Sequence, residues 1–435
     1  MKTYLRNLFE TVSQSLWLMP AVSIALAMGT AYGMLYWEDL GLGDWEDLPL
    51  INRSSRETSL AIVGAIVGSL ITVAGVTFSI TIVSLTLASS QFGPRLLRNF
   101  LRSGSSQVTL GALIGSFIYG ILIMPAMDEN WEAGKAHPSV TLMILLACVC
   151  VCLIVHYIHH VATSIQADSL VASVYRELER KIDTLQEREE EDEDSRPPNW
   201  TGPCSAICAR RSGYLTAIDQ EGLASVAKEQ DARILILKRA GHFAAKGEVI
   251  AKVYGAETNS SYSKSISEAI FLGDKRTPEQ NLEFLIDQLV ELALRAISPG
   301  INDPNTAIVC IDYLSAALLQ VTGKSLPKSK IEDESGELRV YCPRSTFEGL
   351  VDDTFNQLRQ SGVAYPEILI RIANSLERLG AGLKPSDERK KNLRKQLDQI
   401  VEREKSTANP RTAGDREDID TAIASCRKVL EDSAS

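Results

Sequence analysis

Residues 60–88 read LAIVGAIVGSLITVAGVTFSITIVSLTLA, a run without one acidic, basic or histidine side chain. A helix needs about 20 apolar residues to cross the hydrocarbon of a bilayer, and a soluble core helix rarely runs so far without a charge. Working outward, the stretches at about 16–36, 108–127 and 140–166 share this character. The expected fold class is an α-helical polytopic membrane domain of four transmembrane helices, followed by an α+β cytoplasmic domain with a small β-rich module and helical hairpins. A mean hydropathy of -0.01 conceals this, because the remainder of the chain is charged and polar.

The connections between the runs set the orientation. Glu38, Asp39, Asp44, Glu46, Asp47 and Glu57 outnumber Arg53 and Arg56 around the first, and Asp128, Glu129 and Glu132 outnumber Lys135 in the third. The second carries Arg95, Arg98 and Arg102 and no acid, and Lys2 and Arg6 precede the first run. Cytoplasmic loops are enriched in Lys and Arg, so both termini are expected in the cytoplasm. Lys2 and Arg6 do not open a cleavable signal: the run is long, no small-residue cleavage site follows, and Tyr32, Tyr36 and Trp37 read as an interfacial aromatic belt.

Charge and composition exclude some classes. A net charge of -10 and a pI near 5.2 suit neither a nucleic-acid partner nor a phosphate-wrapping surface. The eight cysteines form no disulfide framework. Cys204 and Cys208 have no second pair at zinc-ribbon spacing, so no cofactor is expected. No G-x-S-x-G, P-loop, HExxH or dinucleotide fingerprint is present.

Within the membrane, hydroxyls crowd the second run. Ser69, Thr72, Ser79, Thr86 and Ser90 fall on one face and Thr77, Thr81 and Ser84 on another. Two readings stand. The hydroxyls bond their own backbone or a neighbouring helix, with Gly64/Gly68 and Gly111/Gly115 as close-packing pairs. Alternatively, the first face lines a path for ions or small solutes. An oligomer could pack one stripe and wet the other. Arg95, Arg98 and Arg102, after Gly93-Pro94, read as an interfacial helix that snorkels to lipid phosphates, or as a cytoplasmic mouth. His156, His159 and His160, beside Cys148 and Cys152, read as an interfacial cluster, with a metal or proton-linked gate as the rival.

The predicted domains are 1–168, four membrane helices; 169–196, a stalk helix with an acidic linker; 197–275, a small β-rich barrel-sandwich-like module; 276–403, a helical cytoplasmic domain; and 404–435, a flexible tail with a short helix. In the module, Tyr214–Ile218 and Arg233–Leu237 read as strands, and Gly241-His242-Phe243 to Gly247-Glu248-Val249-Ile250 resembles a biotinyl-lipoyl hairpin without its Met-Lys-Met tip. Thr277, Pro278 and Gln280 predict a helix start. Pro299-Gly300 stops that helix, and Asp303-Pro304 caps the next. The corner is structural, or it offers Asn302, Asp303 and Thr306 to a small ligand.

Three stretches in combination carry a family resemblance: Thr77-Phe78-Ser79-Ile80 running on to Ser89-Ser90-Gln91-Phe92-Gly93-Pro94-Arg95-Leu96-Leu97-Arg98-Asn99-Phe100, then His159-His160-Val161-Ala162-Thr163-Ser164-Ile165-Gln166, then Ser298 to Ala307. The chain resembles a bacterial family of predicted membrane proteins, the domain of unknown function twenty-two fifty-four. The resemblance implies a bacterial inner membrane and no particular chemistry. The expected partners are the lipid bilayer and further copies of the chain in a homo-oligomer. Function is expected to be ion or small-solute transport under a cytoplasmic regulatory domain. The alternative is a non-transporting scaffold or sensor that binds a ligand or protein. A membrane-bound hydrolase is a third reading.

Overall fold

The computed structural model describes residues 18–40, 51–92, 104–127, 137–164, 166–187, 196–256, 260–406 and 411–431. The chain divides into two compact units, Met1–Leu170 and Val171–Ser435. Arg95, Arg98 and Arg102 lie outside the described residues, as does the acidic run 189–194.

The first unit is built from α1 (Leu18–Asp39), α2 (Arg56–Phe92), α3 (Gly104–Ile123) and α4 (Pro138–Ser164). α3 is central and packs on the other three. Its close approach to α1 runs through Gly111 and Gly115: a Cβ on Gly115 would lie 3.1 Å from the Ser23 carbonyl oxygen. This is the small-residue contact expected of helices that meet in lipid. Gly68 has nothing within 4 Å of such a Cβ and serves no contact inside the unit. α2 buries Leu70, Ala74, Thr77, Thr81, Ser84 and Ala88. That alternation of four and three is the seam spacing of a left-handed helix pair.

A polar layer ties one end of the unit. The Glu38 carboxylate accepts from Ser139 N at 2.8 Å and Ser139 Oγ at 3.0 Å, an acid at the start of α4. Tyr119 Oη donates to Ser139 O at 2.9 Å, and Arg56 Nε to Met127 O at 2.8 Å. Glu38, counted in the sequence as a loop acid, is a helix-to-helix tie.

α5 (Ala167–Asp183) is a helix distinct from α4. Its predicted stripe Val171, Val174, Leu178 and Ile182 is buried. Tyr175 packs on Tyr313 with ring centroids 4.7 Å apart, and Gln320 Nε2 donates to Tyr175 Oη at 3.1 Å. An amphipathic helix does not project as a bare stalk while a partner can cover its apolar face.

The second unit is α+β with two small sheets. One, ordered β1-β5-β3-β8-β7, uses β1 (Cys204–Cys208), β3 (Arg233–Ile236), β5 (Val249–Tyr254), β7 (Lys330–Glu332) and β8 (Leu338–Tyr341). Neighbours are antiparallel except β3 and β8. The other, ordered β4-β2-β6, is antiparallel and uses β2 (Gly213–Ile218), β4 (Phe243–Ala244) and β6 (Ile270–Gly273). With α6 (Gln220–Glu229) and α7 (Ser260–Ala269) they enclose a core of Leu215, Leu223, Ile234, Ala251, Ile266 and Val340. Arg339, nearly buried, pairs with Asp333 at 2.9 Å, Glu337 at 2.8 Å and Asp231 at 2.7 Å, and so ties the β7–β8 hairpin to the turn before β3. Cys204 and Cys208 sit at opposite ends of β1, about 13 Å apart at strand rise, too far to share a metal.

Helices α8 (Glu283–Ala296), α9 (Pro304–Thr322), α10 (Phe347–Ser361), α11 (Pro366–Ala381), α12 (Arg389–Lys405) and α13 (Ala413–Glu431) complete the unit. Five described helices are long and apolar enough to cross a membrane: α1 to α4 and, with the lowest hydropathy of the five, α9. α9 packs on α8 and α11 and buries Cys310, Ile311, Leu314 and Leu318.

Candidate functional site

The hydroxyls of α2 divide into two sets. Thr81 Oγ1 lies 2.6 Å from the buried Tyr157 hydroxyl of α4 and donates to Thr77 O at 2.8 Å, so this stripe joins two helices. Ser69, Thr72, Ser79, Thr86 and Ser90 are exposed on the opposite side. Ser69 donates to Ala65 O at 2.8 Å, Thr72 to Gly68 O at 2.9 Å, Ser79 to Gly75 O at 2.9 Å, Thr86 to Ile82 O at 2.9 Å and Ser90 to Leu87 O at 2.9 Å. Each proton is thus committed to the helix's own backbone, and the lone pairs face outward. Gly75, between Thr72 and Ser79, opens a shallow groove of about 470 Å³ bordered by Val76 and Val83.

On α4, His156 and His159 are exposed, and the His156 and His160 rings lie 6.3 Å apart. Thr163 Oγ1 donates to the carbonyls of both His159 and His160 at 3.1 Å. Among the described residues no three His, Cys, Asp or Glu side chains converge as a metal site requires.

At the α8–α9 corner every candidate group has a partner in the fold. Asp303 caps α9, accepting from Thr306 N at 3.1 Å and Thr306 Oγ1 at 2.5 Å. Asn302 is left-handed, with φ 52, a conformation Asn tolerates through local bonding. Tyr365 Oη donates to Asn302 Oδ1 at 3.0 Å and to Ile297 O at 3.2 Å. The corner thus clamps α11 to the α8–α9 hairpin.

One charged cluster had no motif to announce it. Arg239, in the turn between β3 and β4, pairs with the buried Glu283 at the start of α8, lies 3.9 Å from Asp353 of α10, and donates from Nε to His242 Nε2 at 3.0 Å. Arg276 pairs with Asp287 at 2.6 Å nearby. α8 begins five residues later than the Thr277-Pro278 pattern predicts, because the Gln280 amide instead bridges Ile218 N at 3.0 Å and Ile218 O at 3.2 Å. Asn281 then accepts from Phe284 N at 3.2 Å.

Loss of water together with Arg239, Lys238 and Arg276 pushes the His242 imidazole below its ordinary 6.5, so the fold favours the neutral ring that accepts from Arg239. A depressed imidazole contributes stability that is complete above 6.5 and is lost as pH falls through the folded value. We therefore expect the melting temperature of the second unit to drop on acidification below 6.5, and a His242→Gln variant, which accepts but does not titrate, to show a smaller drop. Scanning calorimetry over that pH range on both proteins checks it. Parallel curves would remove His242 from the account.

A family model described as "Predicted membrane protein (DUF2254)" matches residues 13–378. The chain belongs to this family. Its relatives include the uncharacterised protein Rv1290c of Mycobacterium tuberculosis (strain ATCC 25618 / H37Rv). The uncharacterised protein Mb1321c of Mycobacterium bovis (strain ATCC BAA-935 / AF2122/97) is equally similar. Each is 27% identical over 380 residues, covering 85% of this chain and 73% of the relative. No solved structure matches. Predicted membrane protein is therefore what the family contributes, and five described helices are long and apolar enough to cross a membrane.

Proposed function

We propose that this chain is a four-span protein of the bacterial inner membrane, with both termini cytoplasmic, that assembles as a homo-oligomer on the outward face of α2 and passes an ion or small solute along it. One observation carries the reading: Thr72, Ser79 and Thr86 stand seven residues apart on an exposed line of a membrane helix. Contact with lipid alone gives no reason for hydroxyls at that spacing. Their protons are committed inward, so the line presents acceptors, which suits a cation or a proton-donating solute better than an anion. α2 has 37 residues, about 56 Å of helix against a hydrocarbon layer of about 30 Å. A shared axis gives that surplus a use.

The setting of α9 supports four spans rather than five: its Asp312 pairs with Arg371 of α11 at 3.3 Å while its apolar side is covered by neighbouring helices. The orientation rests on the arginine-bearing second loop and the acidic first and third.

The second reading is a dry scaffold, favoured by the same intrahelical bonds, which leave no hydroxyl proton in need of water. A Ser79→Cys chain separates the two. A path makes this thiol react with a charged, membrane-impermeant reagent, blocks flux in vesicles on modification, and lets copies cross-link. Cross-linking without aqueous reaction leaves the scaffold, and neither result leaves α2 facing lipid.

A further inference from the structure

The β4–β2–β6 sheet has one face in the core and one bare. Leu215, Ile218, Ala244 and Ile270 point inward and are buried. Phe243 and Phe271, on the other side, are 49% and 42% exposed. Tyr214 joins them, opposite Phe243 in register, with the two rings edge-on at 5.3 Å. Soluble surfaces scatter single apolar side chains, whereas grouped aromatics mark a contact.

The rim of that face is basic. Strand directions bring the residues before β2, after β4 and after β6 to one end of the sheet. Lys246 N bonds Ser212 Oγ at 2.9 Å, and Arg211 pairs with Asp274 at 3.0 Å, which fixes these loops side by side. Arg210, Lys246 and Lys275 at this end are exposed and have no ion pair among the described residues. An acidic chain thus carries a local cationic edge beside an aromatic face.

We propose that this face docks on a bilayer surface containing anionic lipid, the aromatic rings entering the headgroup boundary and the cations meeting lipid phosphates. The chemistry matches on both counts. Tyr favours the membrane–water boundary, Phe rings bury at the headgroup–acyl boundary, and each cation near an anionic surface contributes roughly fivefold to the docked population. The chain needs no separate recruitment, because α5 begins three residues after the last membrane helix ends.

The test uses the full chain in lipid nanodiscs, with Cys148, Cys152, Cys204 and Cys208 replaced by serine and an environment-sensitive fluorophore on Phe271→Cys. One set of discs is phosphatidylcholine; the other adds phosphatidylglycerol. Docking gives a blue-shifted probe quenched by spin-labelled lipid in the phosphatidylglycerol discs, reversed by high salt and lost in the variant Arg210→Glu with Lys246→Glu and Lys275→Glu. Retained Trp200 fluorescence, read with Trp17, Trp37, Trp45 and Trp131 replaced by phenylalanine, confirms that this variant is folded. If it is not, the salt reversal on the unmutated rim decides. A probe quenched by aqueous iodide in both disc types overturns the proposal. So does a blue shift equal in both lipids without lipid quenching, which assigns the face to a protein contact.

Discussion

Glu283→Ala is expected to destabilise the second unit by about 3–5 kcal/mol, the usual cost of removing one partner from a buried ion pair. Glu283 is 2% exposed, and its carboxylate neutralises Arg239 where the β3–β4 turn meets α8 and α10. Without it the guanidinium keeps, among the described residues, Asp353 at 3.9 Å, the ring of His242 and the charge of Asp287. Two outcomes then compete: an uncompensated cation in the contact, or water entering beside Asn281 and Phe284. Either loosens the hairpin from the helical layer. Glu283→Gln preserves volume and one acceptor, so its loss should be smaller, about 1.5–3 kcal/mol. Trp200 is the second unit's one tryptophan in sequence and packs edge-on against Tyr254 at 5.9 Å. With Trp17, Trp37, Trp45 and Trp131 replaced by phenylalanine, its emission during urea unfolding reports this unit. Equal midpoints for wild type and Glu283→Ala would mean that Arg239 finds full compensation elsewhere.

That cluster was not legible in the sequence, and the reason is physical. Arg239, Glu283 and Asp353 are far apart in the chain, and a glutamate in a helix's first turn is ordinary in itself. Hydrophobic periodicity is a local signal, so α1 to α4, the α5 stripe and β2 and β3 could be read directly. The Asp303 cap was also legible because its chemistry is confined to four residues. The Thr277-Pro278 start was equally well formed, yet Gln280 is bonded to β2, and that tertiary contact moved the helix boundary to Glu283. Strands β7 and β8 have no strong alternation, and β8 is placed by parallel pairing with β3. For the hydroxyls of α2 the sequence defined two faces. Only burial in the packed unit, with Tyr157 bonded to Thr77 and Thr81, assigns Thr77, Thr81 and Ser84 to the interior and leaves the Thr72–Ser79–Thr86 line outside.

Gly115→Leu is expected to separate α1 from α3 and to destabilise the first unit strongly. A Cβ there already stands 3.1 Å from the Ser23 carbonyl oxygen and 3.3 Å from Ser23 Cβ, both rigid atoms of the facing helix. Alanine forces a shift of a few tenths of an ångström, and overpacking of that kind costs about 1–3 kcal/mol. The further carbons of leucine have no room without displacing α1, which also removes Glu38 from the start of α4. Gly68→Leu is the matched control, since nothing lies within 4 Å of its Cβ inside the unit. Thermal unfolding in detergent should therefore show a large loss for Gly115→Leu and little change for Gly68→Leu. Native-gel mobility carries the complementary result. Gly68 lies on the outward side of α2 with Thr72, so a side chain there should disturb association between copies while leaving the monomer folded. If Gly68→Leu unfolds the monomer, or leaves assembly untouched, the outward face of α2 is not where the copies meet.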